Sequence, residues 1–171
     1  MSHIVFDIES EFTADEVDGG WNNPAGMGFG LAVAYRYEDD RFHFFSPGQK
    51  GQLIQFLKGN TVIGFNSVRY DNAILLGNQW RGRDDHGGWH DVDILHWVCM
   101  SRFGCSIEEA EERNGKDKVH GKGLISLDGL SHGTLARHKT GTSGIAPMLI
   151  RRGDLAAAFE CCLQDLSLIH I

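Results

Sequence analysis

Three acidic positions stand out for the chemistry their spacing allows. The first is Asp7-Ile8-Glu9, at the polar end of the apolar run His3-Ile4-Val5-Phe6. On an extended strand, residues two apart point to the same face, so both carboxylates project together. Two carboxylates held side by side repel unless a cation lies between them; an exposed strand end is the plainer alternative. The second is Asp71, which opens a helix after Gly64-Phe65-Asn66-Ser67-Val68-Arg69-Tyr70. An aspartate there often serves the unpaired N–H groups of the first helical turn. The third is Asp165, in Cys161-Cys162-Leu163-Gln164-Asp165, on the shoulder of a late helix's apolar stripe. It is either solvated or aimed into a cleft.

The elements that must carry these acids are legible from periodicity and turn residues. His3–Glu9 reads as a buried strand, and Glu11–Gly28 as an irregular loop punctuated by Gly19-Gly20, Asn22-Asn23-Pro24 and Gly26. Phe29–Tyr37 and Arg41–Phe45 form a hairpin joined by Glu38-Asp39-Asp40. Gln49–Lys58 is helical, with Leu53, Phe56 and Leu57 on one face and Gly59 as its stop. Thr61–Phe65 is a β-branched strand, and the helix from Asp71 carries Ile74, Leu75 and Leu76. After a Gly77–Gly88 loop, the spacing of Val92, Leu95, Val98 and Cys99 predicts a helix over Asp91–Phe103. Ser106–Arg113 reads as an acidic surface helix, Asn114–Gly123 as a polar loop, and Ser126–Leu135 as a helix capped by Ser126. Thr140–Gly144 is loop. Gly153–Asp165 is an amphipathic helix with Leu155, Phe159 and Cys162 inward. Hairpin strands ahead of strand–helix segments imply an α/β domain with a mixed sheet.

At 171 residues, with 42% hydrophobic and 23% charged side chains, the chain is ordinary for one globular domain. The formal charge of −7 argues against a protein that coats nucleic acid by bulk electrostatics, although not against one that grips it locally. Grouped carboxylates that hold metal add negative formal charge which the metal offsets. Four unevenly spaced cysteines do not make a secreted disulfide scaffold, and a reducing, cytoplasmic setting is expected. His86 and His90 have a plausible zinc-ligand spacing, but Cys99, Cys105, Cys161 and Cys162 supply no Cys-x-x-Cys pair. Basic residues available to a phosphate backbone are Arg69, Arg81, Arg83, Lys116, Lys118, Lys122, Arg137 and Lys139, with Lys116–Lys122 the favoured strand-contacting loop.

Taken in order, Asp-x-Glu on a first strand, Asp opening a helix after Gly-Phe-Asn, and Gln-Asp on a late helix resemble the DEDD 3′–5′ exonuclease superfamily. The resemblance runs from His3 to Asp165 and includes Asp91-Val92-Asp93-Ile94-Leu95 and Ser126-Leu127-Asp128-Gly129-Leu130. It implies a ribonuclease H-like fold, a mixed β-sheet flanked by α-helices. It also implies two divalent ions, Mg²⁺ or Mn²⁺, held by Asp7, Glu9, Asp71 and Asp165. Such ions prefer oxygen ligands, and about 3.5–4 Å apart they clamp both sides of a phosphoryl transfer. The implied partner is the 3′ end of single-stranded DNA or RNA, with a polymerase or other replication or repair protein as a possible second partner. Phe65, Asn66 and Tyr70 are the implied contacts to the terminal nucleotide. The superfamily's water-orienting tyrosine or histidine falls here on Cys161 or Glu160, so those two are the catalytic candidates beside the acids. A ribonuclease H-like module that binds nucleic acid or a partner without cutting is the alternative. Leu166-Ser167-Leu168-Ile169-His170-Ile171 resembles a translated transposon end used in sequencing libraries, so the expected domain is residues 1–165 with a non-native tail over 166–171.

Overall fold

The computed structural model of the chain describes residues 1–77, 87–116, 125–139 and 144–170. Strands β1 (His3–Ser10), β2 (Phe29–Arg36), β3 (Arg41–Phe45), β4 (Thr61–Gly64) and β5 (His90–Asp93) form one sheet in the order β3-β2-β1-β4-β5. β1 pairs antiparallel with β2 and parallel with β4, which makes the sheet mixed and puts β1 at its centre. Among the described residues, seven α-helices accompany it: α1 (Lys50–Leu57), α2 (Asp71–Leu76), α3 (Ile94–Phe103), α4 (Ile107–Lys116), α5 (Leu127–Leu135), α6 (Ile145–Arg151) and α7 (Leu155–Ile169). The α/β class and the mixed sheet flanked by helices are as the sequence implies.

Alternation along β1 divides the core in two. Ile4, Phe6 and Ile8 point to one face, where they pack with Leu53 and Leu57 of α1 and Ile74 and Leu75 of α2. Val5 points to the other, where Val33, Ile150 and the α7 residues Ala158, Cys162 and Leu166 cover it. Asp7 and Glu9 share the parity of Val5, so the strand's period alone directs both acids toward α7. The β1–β2 register shifts between Glu9 and Ser10. Gly30 sits opposite this irregularity because a Cβ there would lie 2.6 Å from Ile150 Cδ1 and 2.7 Å from the Glu9 carbonyl oxygen.

Three local expectations are corrected. His90–Asp93 is a strand rather than the start of a helix, because its backbone pairs in parallel with Thr61–Gly64; the helix begins only at Ile94. Ladder pairing here overrides a pattern that reads as helical. The segment Ile145–Arg151, passed over in the sequence, is α6, whose Ala146 and Ile150 are buried. Helix α4 continues to Lys116, so Asn114–Lys116 are helical rather than loop. Ser126 caps α5 as expected, accepting from the Gly129 N–H at 3.1 Å. Among the described residues, no helix is long and apolar enough to cross a membrane.

Candidate active site

Helix α7 starts where Asp154 accepts from the Ala157 N–H and runs unbroken through Asp165 to Ile169. Its residues 158, 162, 166 and 169 are buried against the sheet, which sets Asp165 over the polar end of β1. Leu166 and Ile169 belong to the core on this face, and the ring of His170 lies 3.8 Å from that of Tyr35.

This packing brings Asp7, Glu9 and Asp165 together: one carboxylate oxygen from each lies within 4.8 Å of the others, all three side chains being partly buried. Burial, then the charge of Asp165, raises the Asp7 carboxyl to about 7, against the opposing effects of Lys139 and Cys162. Burial, then Asp7 and Asp165, raises Glu9 to about 8, again opposed by Lys139. Asp71 is 4% exposed at the first position of α2, and its Oδ1 has no hydrogen-bond partner among the described residues. Its carboxyl is pushed well above the usual range by burial, then by Asp7 and Asp93. The Asp71 carboxylate therefore feels the charge of Asp7, although it is not one of the three converging groups. The three converging carboxylates, with the unpartnered Asp71 oxygen, offer hard oxygen ligands of the kind a divalent cation accepts.

The remaining sequence candidates are distributed around this group. The Cys161 thiol is partly exposed and held above its ordinary pKa by burial, then Glu9, Asp165 and Glu160. Glu160 is exposed and accepts from Gln164 Nε2 on the same helix at 3.5 Å. Tyr70 donates its hydroxyl to Ser10 Oγ at 3.2 Å, one residue beyond Glu9. Burial is the first cause of its pKa near 12, with Asp71, Glu9 and Asp7 adding to it against the Ser10 bond. Asn66 adopts φ +61°, a left-handed conformation that asparagine tolerates better than most residues, and donates its N–H to Asp93. Phe65 packs against the core on the α7 side. Arg69 and Arg137 are exposed; Arg81, Arg83, Lys118 and Lys122 lie outside the described residues. So does His86, and among the described residues the acidic trio is the group of potential metal-ligating side chains whose atoms converge; His90, Cys99 and Cys105 form no such group.

Four residues that the sequence did not single out for a role shape the site. The Cys162 thiol donates toward the Asp7 carbonyl at 3.3 Å and its carboxylate Oδ2 at 3.5 Å, fastening α7 to β1. Burial, then Asp7 and Glu9, holds that thiol protonated. Asp93 accepts from the backbone N–H groups of Asn66, Val68 and Leu95, tying the turn before Asp71 to the end of β5. Trp21 is 69% exposed, with its ring centroid 6.0 Å from that of Tyr70. Asp128 accepts the Lys139 N–H at 2.8 Å, and Lys139 Nζ lies 2.5 Å from Asp165 Oδ2. Asp93, a helix-capping residue type before an apolar stripe, and Cys162, on the inward stripe of the last helix, leave a signal in the sequence. The others depend on which segments meet.

No family model matches the chain, and no curated protein matches it. Among solved structures, it is similar to E. coli Exonuclease I in complex with a dA16 oligonucleotide, at TM-score 0.45 and 12% identity over 92% of this chain and 42% of that one. It is similar also to the zinc ion bound form of the E. coli ExoI–ssDNA complex, at TM-score 0.48 and 12% identity over 92% of this chain and 39% of the other. The chain thus spans about two fifths of the length of these structures.

Proposed function

We propose that this chain is a metal-dependent 3′–5′ exonuclease domain that hydrolyses the last phosphodiester of a single-stranded nucleic acid. The observation that carries the reading is the convergence of Asp7, Glu9 and Asp165 within 4.8 Å. Such a cluster repels a phosphate backbone unless cations neutralise it, so a module that only bound nucleic acid would have no use for it. Asp7, Glu9 and Asp165 would hold one ion, and Asp7 with Asp71 a second. Bound there, Mg²⁺ or Mn²⁺ would supply an activated water and offset the charge that builds on the phosphate. Water adds to phosphorus, the bond from phosphorus to the penultimate 3′ oxygen breaks, and a nucleoside monophosphate leaves. The chain's own part is to fix the carboxylates: Cys162 orients Asp7, and the Asp93-bound turn sets Asp71 at the head of α2. Tyr70, with Trp21 beside it and Asn66 and Phe65 in the same turn, would receive the terminal nucleotide. An exposed aromatic surface suits an unstacked base.

A second reading has one observation in its favour. Cys161, in the place expected of a water-orienting hydroxyl, is a thiol whose pKa is raised by burial and then by its acidic neighbours. A positioned acid–base group contributes roughly 10²–10⁴-fold. A module that binds metal and nucleic acid but cuts slowly or not at all is therefore the alternative. Calorimetric titration with Mn²⁺, then digestion of end-labelled single-stranded DNA and RNA, separates the two. The exonuclease reading expects shortening from the 3′ end that is lost in Asp7→Ala. Parental digestion by Asp7→Ala would overturn the site assignment, and Mn²⁺ binding without digestion would select the second reading.

A further inference from the structure

We propose that Lys139 is a built-in counter-cation of the acidic cluster, which keeps Asp7, Glu9 and Asp165 assembled without divalent ions and must be displaced from Asp165 when a metal enters. The inference rests on the metal-site reading above and adds a residue to it. Lys139 Nζ lies 2.5 Å from Asp165 Oδ2, with side-chain exposures of 30% and 23% for the two partners. Its charge acts on Asp7 and Glu9 as well as on Asp165. One ammonium thus faces the three carboxylates that converge within 4.8 Å.

The ammonium is delivered by a local scaffold rather than left on a loose surface arm. The Lys139 backbone N–H donates to Asp128 Oδ1 at 2.8 Å. His138 Nδ1 lies 3.4 Å from the same oxygen, and the His138 ring stacks on His132 of α5 at 4.1 Å. Asp128 and His132 lie four residues apart on one helix, so the stretch from His138 to Lys139 is fixed to α5 at two points. With the backbone anchored, the flexible stem of the lysine carries the charge to α7. A compact ammonium on such a stem can leave Asp165 without unfolding its anchor.

An ammonium cannot replace a divalent ion, because it offers one charge and donates hydrogen bonds rather than accepting a shell of oxygen ligands. It can only lower the repulsion among the acids until a stronger cation arrives. Two effects of opposite sign follow. Removing the charge should loosen the metal-free protein, since the carboxylates lose their partner. It should also tighten metal binding, since the ion no longer competes for Asp165. A merely structural lysine would give the first effect with unchanged or weaker metal binding.

The test uses the full chain and Mn²⁺ alone. Lys139→Met should melt below the parent in EDTA, melt close to it in saturating Mn²⁺, and bind Mn²⁺ about tenfold more tightly, the weight of one charge-assisted hydrogen bond. Lys139→Arg, which keeps a cation on a similar stem, should restore both the EDTA melting temperature and the parental affinity. Lys139→Met binding Mn²⁺ no more tightly than the parent overturns the proposal. A parent that binds no Mn²⁺ overturns the underlying metal-site reading instead.

Discussion

Asp93→Ala should be among the most disruptive single changes in the chain, although Asp93 is not one of the converging acids. The side chain is 3% exposed and accepts three backbone N–H groups: Asn66 at 2.8 Å, Val68 at 3.1 Å and Leu95 at 3.0 Å. Alanine leaves the buried Val68 N–H without a partner, about 1–3 kcal/mol, and removes the N-cap of α3, about 1 kcal/mol more. The partly exposed Asn66 N–H recovers water. Against these losses, burial holds the Asp93 carboxyl above its usual pKa, with His96 and the backbone bonds opposing it. Alanine relieves that desolvation, which brings the gross loss of about 2–4 kcal/mol down to a net of about 1–3 kcal/mol, still a large share of the ~5–15 kcal/mol typical of a domain. Asn66–Tyr70 leads directly into Asp71, so the turn should loosen and weaken Mn²⁺ binding as well. Asp93→Asn, which keeps one accepting oxygen, should fall between alanine and the parent. Urea unfolding in EDTA measures stability, and calorimetry measures the metal. An Asp93→Ala protein within 1 kcal/mol of the parent, with parental Mn²⁺ affinity, would refute the claim that this carboxylate holds the turn.

Two further expectations concern the strand that carries Asp7 and Glu9. Both carboxyls are raised in the fold, to about 7 and about 8, so between about pH 4 and pH 8 the metal-free folded state binds more protons than the unfolded chain. Stability in EDTA should therefore fall as pH rises across that window, while saturating Mn²⁺ should remove or reverse the slope; a melting temperature in EDTA that holds or climbs from about pH 5.5 to pH 8.5 would contradict it. Gly30→Ala should cost about 1–3 kcal/mol and weaken Mn²⁺ binding, because the added Cβ would meet Ile150 at 2.6 Å and the Glu9 carbonyl at 2.7 Å; parental melting and parental affinity together would show that the β1–β2 irregularity does not fix Glu9.

The sequence discloses most where a short period repeats. Alternation places Asp7 and Glu9 on one face of β1, and helical spacing turns Cys162 inward, without knowledge of the other elements. His90–Asp93 does not read as a strand because it spans four residues whose partner, Thr61–Gly64, lies far away in the chain. Helix α6 leaves little trace for a related reason: in its seven residues, Pro147 interrupts an already short apolar pattern. The contact of Lys139 with Asp165 and that of Trp21 with Tyr70 join loops to elements, and neither leaves a periodic trace.

The same contrast explains why neighbouring cysteines have different fates. Successive residues on a helix are about 100° apart, so Cys161 and Cys162 cannot both face the sheet. Cys162 is fully buried and reaches Asp7, whereas Cys161 stays partly exposed on the flank nearer Glu9 and Asp165. Cys162 and Asp165 are three apart and therefore neighbours on the helix surface, so one turn of α7 meets Asp7 with a donor and an acid together. Rotating α7 by one residue would bring Cys161 and Gln164 to those places and leave Asp7 and Glu9 without Asp165. The apolar positions Ala158, Cys162, Leu166 and Ile169 resist that rotation, since it would expose residues now buried. Packing on this face of the sheet is thus what aims Asp165 at Asp7 and Glu9, and substitutions in that stripe should affect metal binding through helix orientation before they touch any ligand.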